Sequence, residues 1–195
     1  MISKTHFNAA YYRRYYEDAE TAVVDAALQR GEVKFVIAFC NFIDLQISRF
    51  ADVGAGTGWW AREFAKQYRS SAVIETFDAS KAACDLYGHK CIPVHELGGI
   101  SSDLVVCRDV LRYVPDGYID RAIGRLARKC RGVLYLHIIT SDDDIDEVAS
   151  DMEGYFRTTA FYRRHLKAAG FRDCGMGLFA SARLKTFAPF ALESR

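Results

Sequence analysis

The run Asp52-Val53-Gly54-Ala55-Gly56-Thr57-Gly58 sets a carboxylate two residues ahead of three glycines that alternate with small residues. Glycine has no Cβ, so a chain turning sharply out of a strand can take positive φ and let a ligand touch its backbone. An apolar approach from Phe50 and a helix-like stretch from Trp59 complete a strand, a glycine-rich turn and a helix start, which suits a nucleotide. The loop alone leaves two cofactor classes open. Its G-x-G-x-G spacing is one reading, and the dinucleotide pattern G-x-G-x-x-G/A can be laid on Gly56, Gly58 and Ala61. A second acid, Asp78, closes Glu75-Thr76-Phe77-Asp78-Ala79-Ser80, 20 residues after Gly58. A carboxylate there can accept both hydroxyls of a ribose, with Glu75 as the alternative if the strand ends early. His137, inside Leu134-Tyr135-Leu136-His137-Ile138, reads as a core histidine or, turned to a pocket, as a proton acceptor.

These groups need elements to hold them. Residues 11–29 carry alanines, acids and aromatics at helical spacing, and 35–42 begin a second apolar helix. Strands and helices then alternate: strand 49–53, helix 59–69, strand 72–77 closing at Asp78, helix 80–87 stopped at Gly88, and strand 90–95. Strand 104–107, helix 118–130, strand 132–139 and helix 158–169 come next, the last stopped by Gly170. Two strand-like runs, 171–180 and 184–190, close the chain as a hairpin. The order predicts an α/β fold, a doubly wound, mostly parallel seven-stranded sheet with helices on both faces and a C-terminal antiparallel strand pair.

Composition narrows the partners. The 195 residues carry a formal net charge of +1, with like charges scattered, so nucleic acid and membrane surfaces are not expected. The six cysteines form no C-x-x-C pair and no zinc spacing with histidine, which fits free thiols in a reducing compartment. No apolar run approaches the ~20 residues that span a bilayer, and the polar, aromatic start lacks the apolar stretch of a signal peptide. A cytoplasmic protein is expected.

The Asp52 to Gly58 motif, Asp78 at the close of the second strand and the adjacent terminal strands together resemble the class I S-adenosylmethionine-dependent methyltransferases. The stretch 103–113 resembles that family's fourth strand and the start of the helix after it, and 155–171 its last helix. The resemblance spans roughly residues 50–190 and implies S-adenosylmethionine as methyl donor, with S-adenosylhomocysteine as product. It implies cofactor contacts from Asp52, Gly54, Ala55, Gly56, Gly58, Trp59, Asp78 and Ala79. Glu96 and Leu97, at the end of the third strand, map to the adenine edge, although the gap to Asp103 is short for the family. Arg108 and Asp109 map to the methionine end and the substrate. Residues 1–46 resemble the variable helical lid of such enzymes, so 1–195 are expected as one domain with a core at 47–195.

Methyl transfer to an oxygen or nitrogen of a small molecule, by holding the nucleophile in line, is the expected reaction. Its substrate contacts are expected from Tyr11, Tyr12, Tyr15 and Tyr16 of the lid, and from Tyr113 and Thr140. His137 and Asp109 are the expected catalytic groups, with His6 and Asp142 as alternatives for a base. Asp142-Asp143-Asp144 is better explained by a helix N-terminus than by a metal, and no metal is expected. The [DNS]-P-P-[YFW] signature of nucleic-acid amino-methyltransferases is missing, since the chain reads Cys107-Arg108-Asp109-Val110 there. A protein or peptide acceptor, a catalytically silent cofactor-binding protein and a nicotinamide-dependent oxidoreductase are the competing readings. The last should show Tyr-x-x-x-Lys or an added substrate domain.

Overall fold

The computed structural model describes residues 7–12, 26–69, 71–145 and 151–187. Two strands have apolar residues on both faces: β1 (Arg49–Val53) buries Phe50, Ala51 and Val53, and β4 (Ser102–Arg108) buries Leu104 through Cys107. A strand of that kind must be covered on both sides, and parallel crossovers through helices do so. With β2 (Val73–Asp78), β3 (Lys90–Cys91), β5 (Cys130–His137), β6 (Phe171–Asp173) and β7 (Leu178–Ser181), they form one sheet in the order β3-β2-β1-β4-β5-β7-β6. All neighbours pair in parallel except β5 with β7 and β7 with β6. The seven-stranded, mostly parallel sheet with a terminal antiparallel pair is therefore as the sequence implies.

Helices fill both faces. On one, α2 (Ala26–Phe42) and α3 (Trp59–Gln67) pack Val33, Val36, Cys40, Trp60 and Phe64 against Phe50, Leu104 and Val106. On the other, α5 (Asp116–Lys129) and α6 (Thr159–Ala168) bury Ile119, Ile123, Leu126, Tyr162 and Leu166 against Val105, Cys107 and Leu134. Between β2 and β3, α4 (Lys81–Tyr87) starts where the Ser80 hydroxyl accepts from the Ala83 amide and stops at Gly88, φ 76°. Cys40, Cys84, Cys107 and Cys130 are free and buried. No helix among the described residues is long and apolar enough to cross a membrane.

Several boundaries differ from expectation: α2 runs unbroken from Ala26 to Phe42, where the sequence predicts the end of one helix at residue 29 and the start of another at 35. The third strand is two residues long, because Pro93 has no N–H for a ladder and the chain enters a 3-10 turn at Val94–Glu96. β5 stops at His137 rather than residue 139. The terminal hairpin lies wholly inside the run 171–180 extended by one residue, turning at Gly175 and Gly177, whose φ values of 80° and 76° no β-strand accepts. Residues 184–187 are not strand, and 188–195 lie outside the described residues. At the other end, α1 covers only Ala9–Tyr12. His6, Tyr15 and Tyr16 also lie outside the described residues. Within the segment expected as a lid, α2 is part of the core, and residues 7–12 are the described part that covers the sheet edge.

Asp103 joins the strand starts on the far edge from the glycine loop. Its Oδ2 accepts the amides of Ser48 and Arg49, each at 2.9 Å, and Arg131 donates to both oxygens at 2.7 and 3.0 Å. Burial pushes the carboxyl up, but the Arg131 bond and these amides hold it below the usual carboxylate range. Asp103→Ala orphans two backbone donors and is expected to lose about 2 kcal/mol in urea unfolding at pH 7. A depressed carboxylate lends stability above its unfolded pKa and loses it in acid, so the difference between the two proteins should shrink as pH falls through the depressed folded pKa.

Candidate functional site

The glycine loop joins β1 to α3 at the carboxyl edge of the sheet, where open α/β sheets bind ligands. Gly54, Gly56 and Gly58 have φ of 75°, 55° and 72°. A Cβ on Gly54 would lie 2.1 Å from Val110 Cγ2, so the loop is pressed against the segment after β4. Four of the loop amides are already committed. Gly54 and Ala55 donate to the Phe77 carbonyl at 2.8 and 3.0 Å, Gly56 donates to Asp78 Oδ2 at 2.8 Å, and Gly58 donates to the Ala55 carbonyl at 2.7 Å. A pyrophosphate-binding turn presents such amides to its ligand. This one spends them internally.

Acids ring the loop. Asp52 is 3% exposed, and its Oδ2 has no hydrogen-bond partner among the described residues. Burial first, then the charge of Asp78, pushes its carboxyl up to about 7, against the pull of the Ala61 amide in the first turn of α3. Asp78 is held by two amides, Gly56 on Oδ2 and Ser80 on Oδ1, both at 2.8 Å. Burial still raises it above the ordinary value. Two lone-pair positions stay free on such a carboxylate, enough for a pair of hydroxyls. Among the described residues no lysine or arginine bonds to Asp52, Asp78 or Asp109. The two buried carboxylates, Asp52 and Asp78, with no bonded cation and beside amides mostly used, disfavour an anionic ligand and fit one that brings hydroxyls and positive charge.

Sequence reasoning missed His89. It is 9% exposed and bridges Thr76 Oγ1 and the Gly56 carbonyl, each at 2.9 Å, so it clasps the loop from below. No local pattern marks it. Trp59 opens α3 half-buried, with Gly58 as its cap. Ala79 is exposed at the rim. Glu96 points outward beside His95, 3.7 Å away, while Leu97 is 1% exposed and packed in the core.

At the end of β4, Arg108 is paired with Glu32 of α2 at 3.3 Å, a second partner the sequence did not announce. Asp109 takes φ 52°, which costs a non-glycine residue about 1 kcal/mol and recurs at functional sites. Its amide donates to the His137 carbonyl at 2.8 Å, and its Oδ2 stands 3.5 Å from His137 Nδ1. Burial raises the Asp109 carboxyl, yet His137 beside it, with Arg108 and Arg112, brings it below the ordinary range. Oδ1 has no partner among the described residues. His137 is not a core histidine: as the last residue of β5 it is 44% exposed at the side chain. The two expected catalytic residues therefore meet.

Aromatic residues cover this edge. Tyr12 is 4% exposed, and a Cβ on Gly56 would come within 3.6 Å of its ring. The Phe7 ring stands 4.8 Å from that of Tyr113, the Tyr11 hydroxyl 3.5 Å from the Tyr113 hydroxyl, and Ser80 Oγ donates to the Phe7 carbonyl at 2.7 Å. Tyr113 also donates to Asp151 at 2.8 Å. Thr140, by contrast, is 6% exposed and serves its own loop: its amide and hydroxyl donate to Asp143, and its hydroxyl meets Thr159 at 3.1 Å. Asp142 accepts the Thr159 amide at 2.7 Å, capping α6.

Residues 12–174 match a family described as a methyltransferase domain. Over 110 residues the chain is 30% identical to a malonyl-[acyl-carrier protein] O-methyltransferase from Gallionella capsiferriformans (strain ES-2), covering 56% of this chain and 36% of that protein. The chain thus spans about a third of the length of that curated relative. Among solved structures, magnesium protoporphyrin IX methyltransferase from Synechocystis PCC 6803, with S-adenosylmethionine bound, superposes with a TM-score of 0.68 at 20% identity, over 91% of this chain and 94% of that one. The 1,6-didemethyltoxoflavin-N1-methyltransferase of Burkholderia thailandensis, holding its substrate and S-adenosylhomocysteine, gives 0.58 at 17% identity, over 88% and 83%. At these identities the two structures speak for the fold.

Proposed function

The chain belongs to the class I S-adenosylmethionine-dependent methyltransferases, and we propose that it methylates an oxygen or nitrogen of a small molecule, with residues 1–195 acting as one domain. The observation that carries this reading is the group of acids around a loop four of whose amides are already used. S-adenosylmethionine supplies a methyl group activated by a positive sulfonium. In this reading Asp78 accepts ribose hydroxyls, Gly54 through Gly58 allow close approach, and the Asp52 carboxylate faces positive charge. Glu96 and Leu97 are weaker cofactor candidates, since one faces solvent and the other the core.

The acceptor is proposed to sit between the Asp109–His137 pair and the cover formed by Tyr11, Tyr12 and Tyr113. His137 can take a proton from a hydroxyl or ammonium acceptor, while the Asp109 carboxylate, 3.5 Å from Nδ1, stabilises the charge the ring then carries. A small-molecule acceptor is supported by this aromatic cover and by the substrates named for the structural neighbours. The curated relative's name points to a carrier-bound acyl group as a second acceptor class.

Calorimetric titration with S-adenosylmethionine, S-adenosylhomocysteine, NAD and NADP, followed by a screen of acceptors with a labelled methyl donor, tests the reading. Micromolar binding of the first two alone and label transfer to a small acceptor are expected. With that acceptor, His137→Gln should keep the affinity for S-adenosylhomocysteine and lower kcat about 100-fold, the usual size of a general-base contribution. Binding without transfer to any acceptor would favour a silent binding protein. Binding of NAD would sink the proposal.

A further inference from the structure

Arg112 lies four residues past the end of β4, in the 3-10 turn Leu111–Tyr113, and is 3% exposed. Its Nη2 donates to the Tyr113 hydroxyl, but Nε and Nη1 are buried with no acceptor among the described residues. A guanidinium carries five N–H donors, and three of them belong to those two nitrogens. Arg49, Arg125 and Arg172 also lack a hydrogen-bond partner, each at Nε only, and Arg108 Nε has the 3.3 Å ion pair with Glu32. The neighbouring Arg157 shows what a structural arginine looks like here. It donates to the carbonyls of Leu111 and Val114, to Asp116 and to the Tyr162 hydroxyl.

Among the described residues no carboxylate reaches Arg112. Asp109 is turned to His137, and Asp151 accepts from Tyr113 instead. The backbone is nevertheless held firmly: the Tyr155 amide donates to the Arg112 carbonyl at 2.7 Å, and a Cβ on Gly154 would lie 3.1 Å from the same oxygen. The guanidinium lies 4.5 Å from the Tyr113 ring centre and 5.5 Å from that of Phe156. Rings on two sides fix a planar cation while leaving its edge donors unused. A buried cation with three donors unused, while the nearby carboxylates of Asp109 and Asp151 bond elsewhere, is costly to maintain. Through Tyr113, whose ring meets Phe7 and whose hydroxyl meets Tyr11, and through its pull on the Asp109 carboxyl, the guanidinium borders the region proposed for the acceptor.

We propose that Arg112 anchors a carboxylate of the methyl acceptor, so that the substrate is a small organic acid; this rests on the methyltransferase reading of the same site. A monoanionic carboxylate fits better than a phosphate, because Asp109 and Asp151 stand close enough to repel a second negative charge. Arg112 is here a binding residue, and the atom that receives the methyl group can lie elsewhere on the acid.

The test uses the whole protein with and without saturating S-adenosylhomocysteine, and the monoanions malonamate, succinamate and benzoate as probes against malonamide, succinamide and benzamide. At least one acid should shift the Arg112 Nε–H cross-peak in a nitrogen–proton NMR spectrum and raise the melting temperature, while its amide does neither. Arg112→Gln should abolish the thermal response to that acid and keep the affinity for S-adenosylhomocysteine within about threefold. Arg112→Lys, which keeps the charge without the planar fork, assigns the cross-peak and should bind the acid at least tenfold more weakly. Equal responses to acid and amide, a response that survives Arg112→Gln, or a cross-peak that no acid moves overturns the proposal. Failure to bind S-adenosylhomocysteine, with the acid response intact, overturns the methyltransferase reading instead, so the two failures are distinct.

Discussion

Asp78→Ala should lower the affinity for S-adenosylmethionine at least 100-fold, or about 2.7 kcal/mol, and should also loosen the fold. The carboxylate joins three things: the glycine loop through the Gly56 amide, its own turn through the Ser80 amide, and the ribose hydroxyls it is proposed to accept. Alanine leaves both amides without an acceptor at a site only 7% exposed, and each such orphan costs about 1–3 kcal/mol. One opposing effect is relief of repulsion with Asp52, whose carboxyl is pushed up in part by Asp78. It is smaller than the loss of two amide bonds, so the net change is destabilising. Asp78→Asn separates the contributions. One amide oxygen can still serve Gly56 or Ser80, but its NH2 faces a second donor, so affinity should fall to an intermediate value. Calorimetry with S-adenosylmethionine and thermal unfolding of the three proteins measure both effects. Unchanged affinity in Asp78→Ala would place the ribose elsewhere on the sheet edge.

Asp78 is legible in the sequence because an apolar run ends in an acid at the distance a β-α-β unit sets from the glycine loop. Asp52 and the three glycines are legible for the same reason: local geometry writes itself into adjacent residues. His89, Glu32 and Arg112 are not. Glu32 meets Arg108 across 76 residues, and His89 grips Gly56 across 33; neither position carries a periodic signal. His137 is ambiguous for a different reason. An apolar run favours a buried side chain, but the last residue of a strand already stands at the sheet edge. The terminal hairpin misleads because hydrophobicity on both sides of Gly175 and Gly177 outweighs two adjacent turn signals. Thr140 has the right address after β5, but its hydroxyl is taken by Asp143 and Thr159.

The same carboxylates make stability and ligand binding respond to pH in opposite directions. Asp52 is raised by burial, and secondarily by Asp78, to about 7, against an unfolded value near ~4. For an acid raised in this way the folded chain holds the proton more tightly than the unfolded one. Its contribution to stability is complete below about pH 4 and is lost as pH rises through 7. A raise of this size corresponds to on the order of 4 kcal/mol. Asp52→Asn is neutral throughout, so it should match the parent near pH 4 and exceed it at pH 8, by an amount approaching that figure less the cost of an amide at the Ala61 N–H. Urea unfolding across pH 4–8 measures the divergence. Positive charge in the site favours ionised Asp52, so the parent should bind S-adenosylmethionine more tightly as pH rises from 5.5 to 8 and should release a proton at the low end. Titrations in buffers of different ionisation enthalpy count that proton. The Asn variant should bind weakly, with no pH dependence from this group. Equal slopes in the two proteins would mean that Asp52 is already ionised in the free chain, with its charge answered by Arg108 alone.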